Sequence, residues 1–478
     1  YLSLSNFVAS ITFSVNSDLA LPYVEYESIP TLASFPTNCS KLFADDAAIS
    51  ANLSLSGFSF NPLSANINVP FAPYSQFGTT ITKKAENSLR LGHPWVYDAE
   101  VLNLEGEPEN GSLVDVFSEK GSYLGTGFIS YKSKIRIRLL SSNANETFGD
   151  EFFARRIQYA LAYRRTVMGP TDYHCCRLVF GEADGLPGLT VDRYENILVS
   201  QVLSIGMERV KDTVYRQLVK QLAQEGVGIA GIFERNDAAI RELEGLDRGK
   251  GWYLADYLPQ PPSPITGITE NGIQYEVDVE NGQKTGFFLD QKYNRQAVAK
   301  IAAGKKVLDC FTHTGSFALN AALGGADRVT AVDVSDTAIE MAKLNARRNG
   351  LIDKMDFIVA DVFDLLPELC NKHADYDFVI LDPPAFTKSR KAIKGAERGY
   401  KEINFRAMKL LPRGGYLATC SCSHFMDNEL FIKMVQSAAR DADVSLKLIE
   451  ARRQSPDHPT LMNVPETDYL KFYLFQLV

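Results

Sequence analysis

A chain of 478 residues is too long for one ordinary domain, so two to four are expected. Its apolar (45%) and charged (23%) fractions are those of a soluble globular protein, and a net charge of −8 excludes a generally sticky polycation while leaving room for local basic patches. Seven cysteines without regular spacing point to free thiols in a reducing, cytoplasmic setting, and no run of about 18 apolar residues is present to make a membrane helix.

Residues 1–80 are rich in Ser, Asn, Ala and Pro, with sparse charge and no sustained period; a disordered extension is expected there. From Ile81 the texture changes. "GSLVDVFSEKGSYLGTGFIS" and "KSKIRIRLL" read as short strands around glycine turns, and a small β-barrel is expected over 81–147. The stretch 148–268 reads as a central α+β domain. It holds the helix "FFARRIQYALAYRRTVM", strands around "EADGLPGLTVDRY", and a helix "ERVKDTVYRQLVKQLAQEG" closed by Gly226. The proline-stiffened "LPQPPSPITG" (258–267) marks a seam. From 269 to 478 strands alternate with helices. The fold class is therefore α/β, with a C-terminal Rossmann-like, mainly parallel sheet behind a small barrel and a central α+β domain.

The run "KKVLDCFTHTGSFALNAALGGADRVTAVDVS" carries a cofactor signal. A buried strand ends in Asp309, a loop follows with Gly315, and a helix begins. Ligands of open parallel sheets bind at the carboxyl ends of the strands. A second strand ends in Asp333, suited to accept hydrogen bonds from ribose hydroxyls, and a third ends near Asp361, placed for an adenine amino group. A dinucleotide loop needs G-x-G-x-x-G, and "DCFTHTG" has one glycine. An acidic, glycine-poor loop suits S-adenosylmethionine, which carries a sulfonium instead of a pyrophosphate. "FVILDPPAF" ends the fourth strand, where Pro383 and Pro384 stiffen the exit and hold Asp382 toward the site.

"GGYLATCSCSHFM" is the fifth strand. Alternation puts Cys420 and Cys422 on one face. No second ligand pair accompanies them, so no metal site is expected. Cys420, inside the strand, suits a small packed hydrophobe; Cys422, near its end beside Asp382, suits a nucleophile. A thiolate there would add to C6 of a cytosine and make C5 nucleophilic, while a protonated Asp382 donates to N3.

With "RLGHPWVYDAEV", "EADGLPGLTVDRY", "GQKTGFFLDQKYNR", "GAERGYKEIN", "LDPPAF" and "SCSHFM" in view, residues 81–478 resemble the bacterial large-subunit ribosomal RNA cytosine-C5 methyltransferase I family. The resemblance implies a PUA domain, a central RNA-binding domain, and a class I methyltransferase domain that uses S-adenosylmethionine. It implies that Lys284, Thr285, Gly286, Phe287, Phe288, Asp290, Gln291 and Arg295 border the donor pocket. It also implies that Phe311, Thr312 and Gly315 shape its loop, and that Cys422 is the nucleophile. Pro383, Pro384 and Phe386, with Arg136 and Arg138 of the barrel, are expected to meet the substrate. The expected partner is large-subunit ribosomal RNA, and a homodimer is compatible with the resemblance. Two other readings stay open: methylation of an exocyclic amine of guanine or adenine, and a non-catalytic RNA-binding assembly factor.

Overall fold

The computed structural model describes residues 75–387 and 390–478, so most of the expected extension at 1–80 lies outside the described residues. No described helix is long and apolar enough to cross a membrane.

A six-stranded sheet occupies residues 78–141. It starts at Gly78–Ile81, a few residues before the expected boundary, because Thr79 and Thr80 pair with Leu104 and Asn103 on one side and with Val116 and Phe117 on the other. Val114, Val116, Ile129 and Ile137 point inward and are buried together. Gly127 is needed where strands cross: a Cβ there would lie 2.3 Å from the Arg138 carbonyl oxygen. This is the expected small β domain.

Next comes a five-stranded sheet, residues 175–253, packed with the helices Asp150–Val167 and Ile205–Gln224. A hairpin, Ile265–Glu270 with Ile273–Asp278, starts inside the proline-rich run. Its two-residue turn is Asn271-Gly272, both left-handed (φ 55° and 81°), as a tight hairpin of this twist requires.

The C-terminal part is a seven-stranded sheet. Its strands are β1 (Lys306–Cys310), β2 (Arg328–Asp333), β3 (Met355–Val359), β4 (Phe378–Leu381), β5 (Tyr416–Ser421), β6 (Leu446–Arg452) and β7 (Lys471–Leu477). The order is β3-β2-β1-β4-β5-β7-β6, with only β7 antiparallel to its neighbours. Helices α1 (Lys292–Ile301), α2 (Ser316–Leu323), α3 (Asp336–Arg348), α4 (Val362–Asn371), α5 (Ile393–Leu410) and α6 (Asn428–Asp441) surround the sheet. Strands β1 and β4 are central; β4 (FVIL) is an unbroken apolar run, and Val307, Leu308 and Cys310 of β1 are fully buried, because both faces are covered. The strand order reverses between β1 and β4, which opens a crevice at their carboxyl ends.

Candidate functional site

The crevice is built on three strand ends. At the end of β1, Asp309 is fully buried. Its Oδ2 accepts from Thr312 Oγ1 (2.6 Å) and the Ala318 amide (2.9 Å), while its Oδ1 has no partner. Burial, reinforced by the charges of Asp382 and Asp333, pushes this carboxyl up to about 8. The loop that follows is sharply bent: Phe311 (φ 68°), His313 (φ 52°) and Gly315 (φ 83°) are all left-handed. Two non-glycine residues in that region store strain that the surroundings must hold. They are held by a Thr312 amide bond to the Val332 carbonyl (2.8 Å) and a His313 amide bond to Asp333 Oδ2 (2.9 Å). Asp333, at the end of β2, also accepts from the Ser335 amide with Oδ1. Asp361 is exposed and caps α4 through the Phe363 amide (2.8 Å).

Just past β4, Asp382 Oδ1 accepts from Gln291 Nε2 (2.9 Å). Burial and the nearby charge of Asp290 push its carboxyl up to about 6. Pro383 is buried and turns its carbonyl toward Cys422, whose Sγ lies 4.0 Å away. Cys422 is the first residue after β5 and is half-buried. Burial pushes its thiol up to about 11, against the opposing charges of Lys284 and Lys471. Cys420, two residues earlier, is fully buried: it pairs with Phe472 of β7, and its thiol lies against Asp382 and Gln291. The neighbouring serines face the other way, where Ser421 and Ser423 meet the Tyr400 hydroxyl (3.1 and 3.0 Å). Phe386 packs on Tyr400 and Phe363, with ring centroids 4.6 and 5.7 Å away, while Pro384 is exposed.

The segment 284–291 crosses these strand ends from outside the sheet. Phe288 meets His313 edge-on (5.1 Å), and Lys284 Nζ lies 4.4 Å from the Phe288 ring centre and 3.2 Å from Asp290 Oδ2. Burial raises the Asp290 carboxyl, but Lys284, His458 and the Tyr469 hydroxyl outweigh it, and the group is held well below the usual carboxylate range. Its Oδ1 is buried without a partner. The segment is anchored to the central sheet: Thr285 Oγ1 donates to Asp192 (2.6 Å), and the Phe287 amide donates to the Tyr194 hydroxyl (3.1 Å). Gly286 (φ 131°) has no room for a side chain, since a Cβ would lie 2.7 Å from Val277.

Thus Asp309, Phe311, Thr312, Gly315, Asp333, Asp382, Cys422 and the 284–291 segment converge. Arg295 lies beneath them instead of on the rim, buried in a two-pronged ion pair with Glu270 (2.7 and 3.0 Å) and bonded to the Phe288 carbonyl. Arg136 and Arg138 are engaged elsewhere: Arg136 pairs with Asp98, and Arg138 with Glu244 of the central part (2.9 Å). Sequence reading missed Lys471. It is almost fully buried, its ammonium donates to the Ser423 and Tyr469 carbonyls (2.7 and 2.8 Å), and burial lowers it to about 8. The available signal was a lysine opening the apolar strand "KFYLFQL".

A family model described as an S-adenosylmethionine-dependent methyltransferase matches residues 240–476, and one described as a PUA-like domain matches residues 80–142. The chain is 43% identical to ribosomal RNA large subunit methyltransferase I of Photobacterium profundum, over 82% of this chain and 97% of that protein. It is 42% identical to the protein of the same name from Aeromonas salmonicida, with the same coverage. Among solved structures, a SAM-dependent methyltransferase from Streptococcus mutans shares the fold (TM-score 0.70, 22% identity, 84% of this chain and 99% of that one). So does a methyltransferase solved in complex with SAH (TM-score 0.71, 22% identity, the same coverage). The crevice fits that cofactor: an unpartnered, buried Asp309 oxygen and a carboxyl raised by its surroundings suit a ligand that brings N–H donors and positive charge.

Proposed function

This chain belongs to the ribosomal RNA large subunit methyltransferase I family, which uses S-adenosylmethionine, and from that premise we propose that it forms 5-methylcytosine in large-subunit ribosomal RNA with Cys422 as nucleophile. The observation that carries this reading is the meeting of Cys422 and Asp382 across the Pro383 carbonyl, with the second cysteine buried.

Asp309, Asp333 and the 311–315 loop would hold the cofactor, with Asp333 on the ribose, Asp361 toward the adenine, and Lys284 to Gln291 closing the outer wall. When bound, S-adenosylmethionine supplies an electrophilic methyl on a positively charged sulfur. Cys422 works as the thiolate, which Lys284 and Lys471 favour. The sulfur lone pair forms a bond to C6 of the cytosine, and the C5–C6 π electrons shift onto the ring. In the working pair Asp382, its carboxyl raised to about 6, holds the proton that the thiol has given up and donates it to N3, which balances the charge. C5 is then the nucleophile. Once C5 has been alkylated, a base takes its proton, the C5–C6 double bond reforms, the S–C6 bond breaks, and N3 returns its proton. Gln291 keeps Asp382 oriented throughout. The target base must leave any stack to reach the sulfur, so an unpaired or unfolded stretch of RNA is the substrate.

The test is methyl mapping by mass spectrometry on unmodified ribosomal RNA, with Cys422→Ser alongside. Methyl on cytosine C5 that disappears in the variant is expected. Methyl on an exocyclic amine, indifferent to the variant, would assign the chemistry to Asp382 and the Pro383 carbonyl instead. RNA binding without any transfer would leave only an assembly role.

A further inference from the structure

A cavity of about 300 Å³ is lined by His424, two residues beyond Cys422. His424 and Asp427 of the turn after the thiol form one side of it, and Lys471 of β7 forms the floor. Arg453, Leu461 and Met462, from the segment between β6 and β7, form the other side. Lys471 ties the cavity to the thiol, since its ammonium holds the carbonyl of Ser423, the residue next to Cys422. We propose that this cavity receives the nucleobase adjacent to the target cytosine in the same RNA strand, an inference that rests on the function proposed above.

Four observations support it. First, a base drawn out of its stack brings its neighbour to the mouth of the pocket, and contacts to flanking nucleotides are how such enzymes read context. Second, the volume is at the small end of ligand pockets, which suits a single nucleobase. Third, the wall is mixed. Met462 is 85% exposed and Leu461 38%, giving an apolar platform for a ring face, while His424 and Asp427 offer polar edges. The lining cations Arg453 and Lys471 are matched in number by Asp468 and Asp427, with Arg453 paired to Asp468 (3.0 Å) and the Lys471 ammonium held by two carbonyls, so the cavity favours a neutral base over a phosphate. Fourth, the wall is pre-formed. The Leu461 amide donates to Thr467 Oγ1 (2.9 Å), and Asp457 accepts from the Arg177 amide (2.8 Å). Glu466 lies 3.3 Å from His93 of the PUA-like domain. Glu466 follows Pro465 of the cavity wall, so that last contact ties the wall to the β domain.

The experiment uses the full chain, S-adenosylmethionine, and parallel ribosomal RNA transcripts carrying 5-fluorocytidine together with 4-thiouridine, 6-thioguanosine or 8-azidoadenosine. Fluorine at C5 blocks release and traps the Cys422 adduct; the photoreactive base reports neighbours on irradiation, whichever base lies beside the target. The expected result is a cross-link at Leu461 or Met462 from the nucleotide directly next to the trapped cytosine. A trapped cytosine whose neighbours cross-link only outside this wall overturns the inference and leaves the cytosine chemistry standing. A cross-link at Leu461 or Met462 next to the methylated nucleotide, without any Cys422 adduct, sinks the cytosine reading and keeps the subsite. Independently, Met462→Asp should raise the RNA KM about tenfold with no change in S-adenosylmethionine Kd. An unmoved RNA KM in a folded variant overturns the subsite.

Discussion

Cys422 and Asp382 share one proton in the order opposite to the one the reaction needs. The resting pair is thiol and carboxylate, because the carboxyl titrates at about 6 and the thiol at about 11. The working pair, thiolate and carboxylic acid, has the same proton count. Between those two values each pH unit therefore multiplies the thiolate by about ten and divides the acid by about ten, and kcat/KM stays level. Asp382→Asn keeps an N–H donor for N3 but removes the second titration. Its rate should be lower by about 10²–10⁴ and should climb roughly tenfold per pH unit as thiolate forms. A level profile in that variant would show that Asp382 is not the acid. Strand alternation in the sequence places Cys420 and Cys422 on one face but does not say which is reachable. That is decided by β7, whose Phe472 covers Cys420, and by the chain leaving the sheet right after Ser421.

At the scale of elements, α1 is the instructive case. Its sequence, "KYNRQAVAKI", looks like a helix with a charged face toward water, yet Lys292 and Arg295, three apart, both point inward and are buried. Lys292 donates to the Cys175 carbonyl (2.9 Å) and lies 3.3 Å from Asp172, while Arg295 grips Glu270 at the end of the hairpin. These pairings join the methyltransferase sheet to the preceding parts, and no short-range pattern announces them. A buried pair of this kind is costly to break from one side. Arg295→Met should lower unfolding free energy by about 3–5 kcal/mol in urea titrations, and pairing it with Glu270→Leu should restore most of the loss. If the single substitution costs no more than the double, the pair is not what holds this joint.

At the scale of the whole chain, one carboxylate ties the methyltransferase part to the central part. Asp457 accepts from the Arg177 amide and from His458 Nδ1 (2.9 Å), and its carbonyl accepts from Arg164 (2.9 Å). Arg177 in turn pairs with Asp192, which holds Thr285 at the crevice. Burial works against the Asp457 charge, but His458 and the surrounding donors prevail, and the carboxyl is held well below the usual range. A depressed folded-state value means that its stabilisation is present above the unfolded value, near pH 4, and is lost as pH falls below it. Asp457→Ala should therefore lose about 2–4 kcal/mol at pH 7, and its Tm should fall less than that of the wild type between pH 5 and pH 3. Parallel acid limbs in the two proteins would place the stabilisation elsewhere.

The sequence by itself determined the order of strands and helices, the acidic residues at the strand ends, and the glycine-poor loop that disfavours a dinucleotide. Those features are local: they follow from side-chain period and from which residues tolerate a bend. It also carried the motifs by which the family is recognised. Only the tertiary structure decided that β7 covers Cys420 and that residues 284–291 are anchored to the central sheet. It alone showed Arg295 as a buried support and Lys471 beneath the thiol. Burial and charge pairing depend on partners distant in sequence, and the fold alone brings them together.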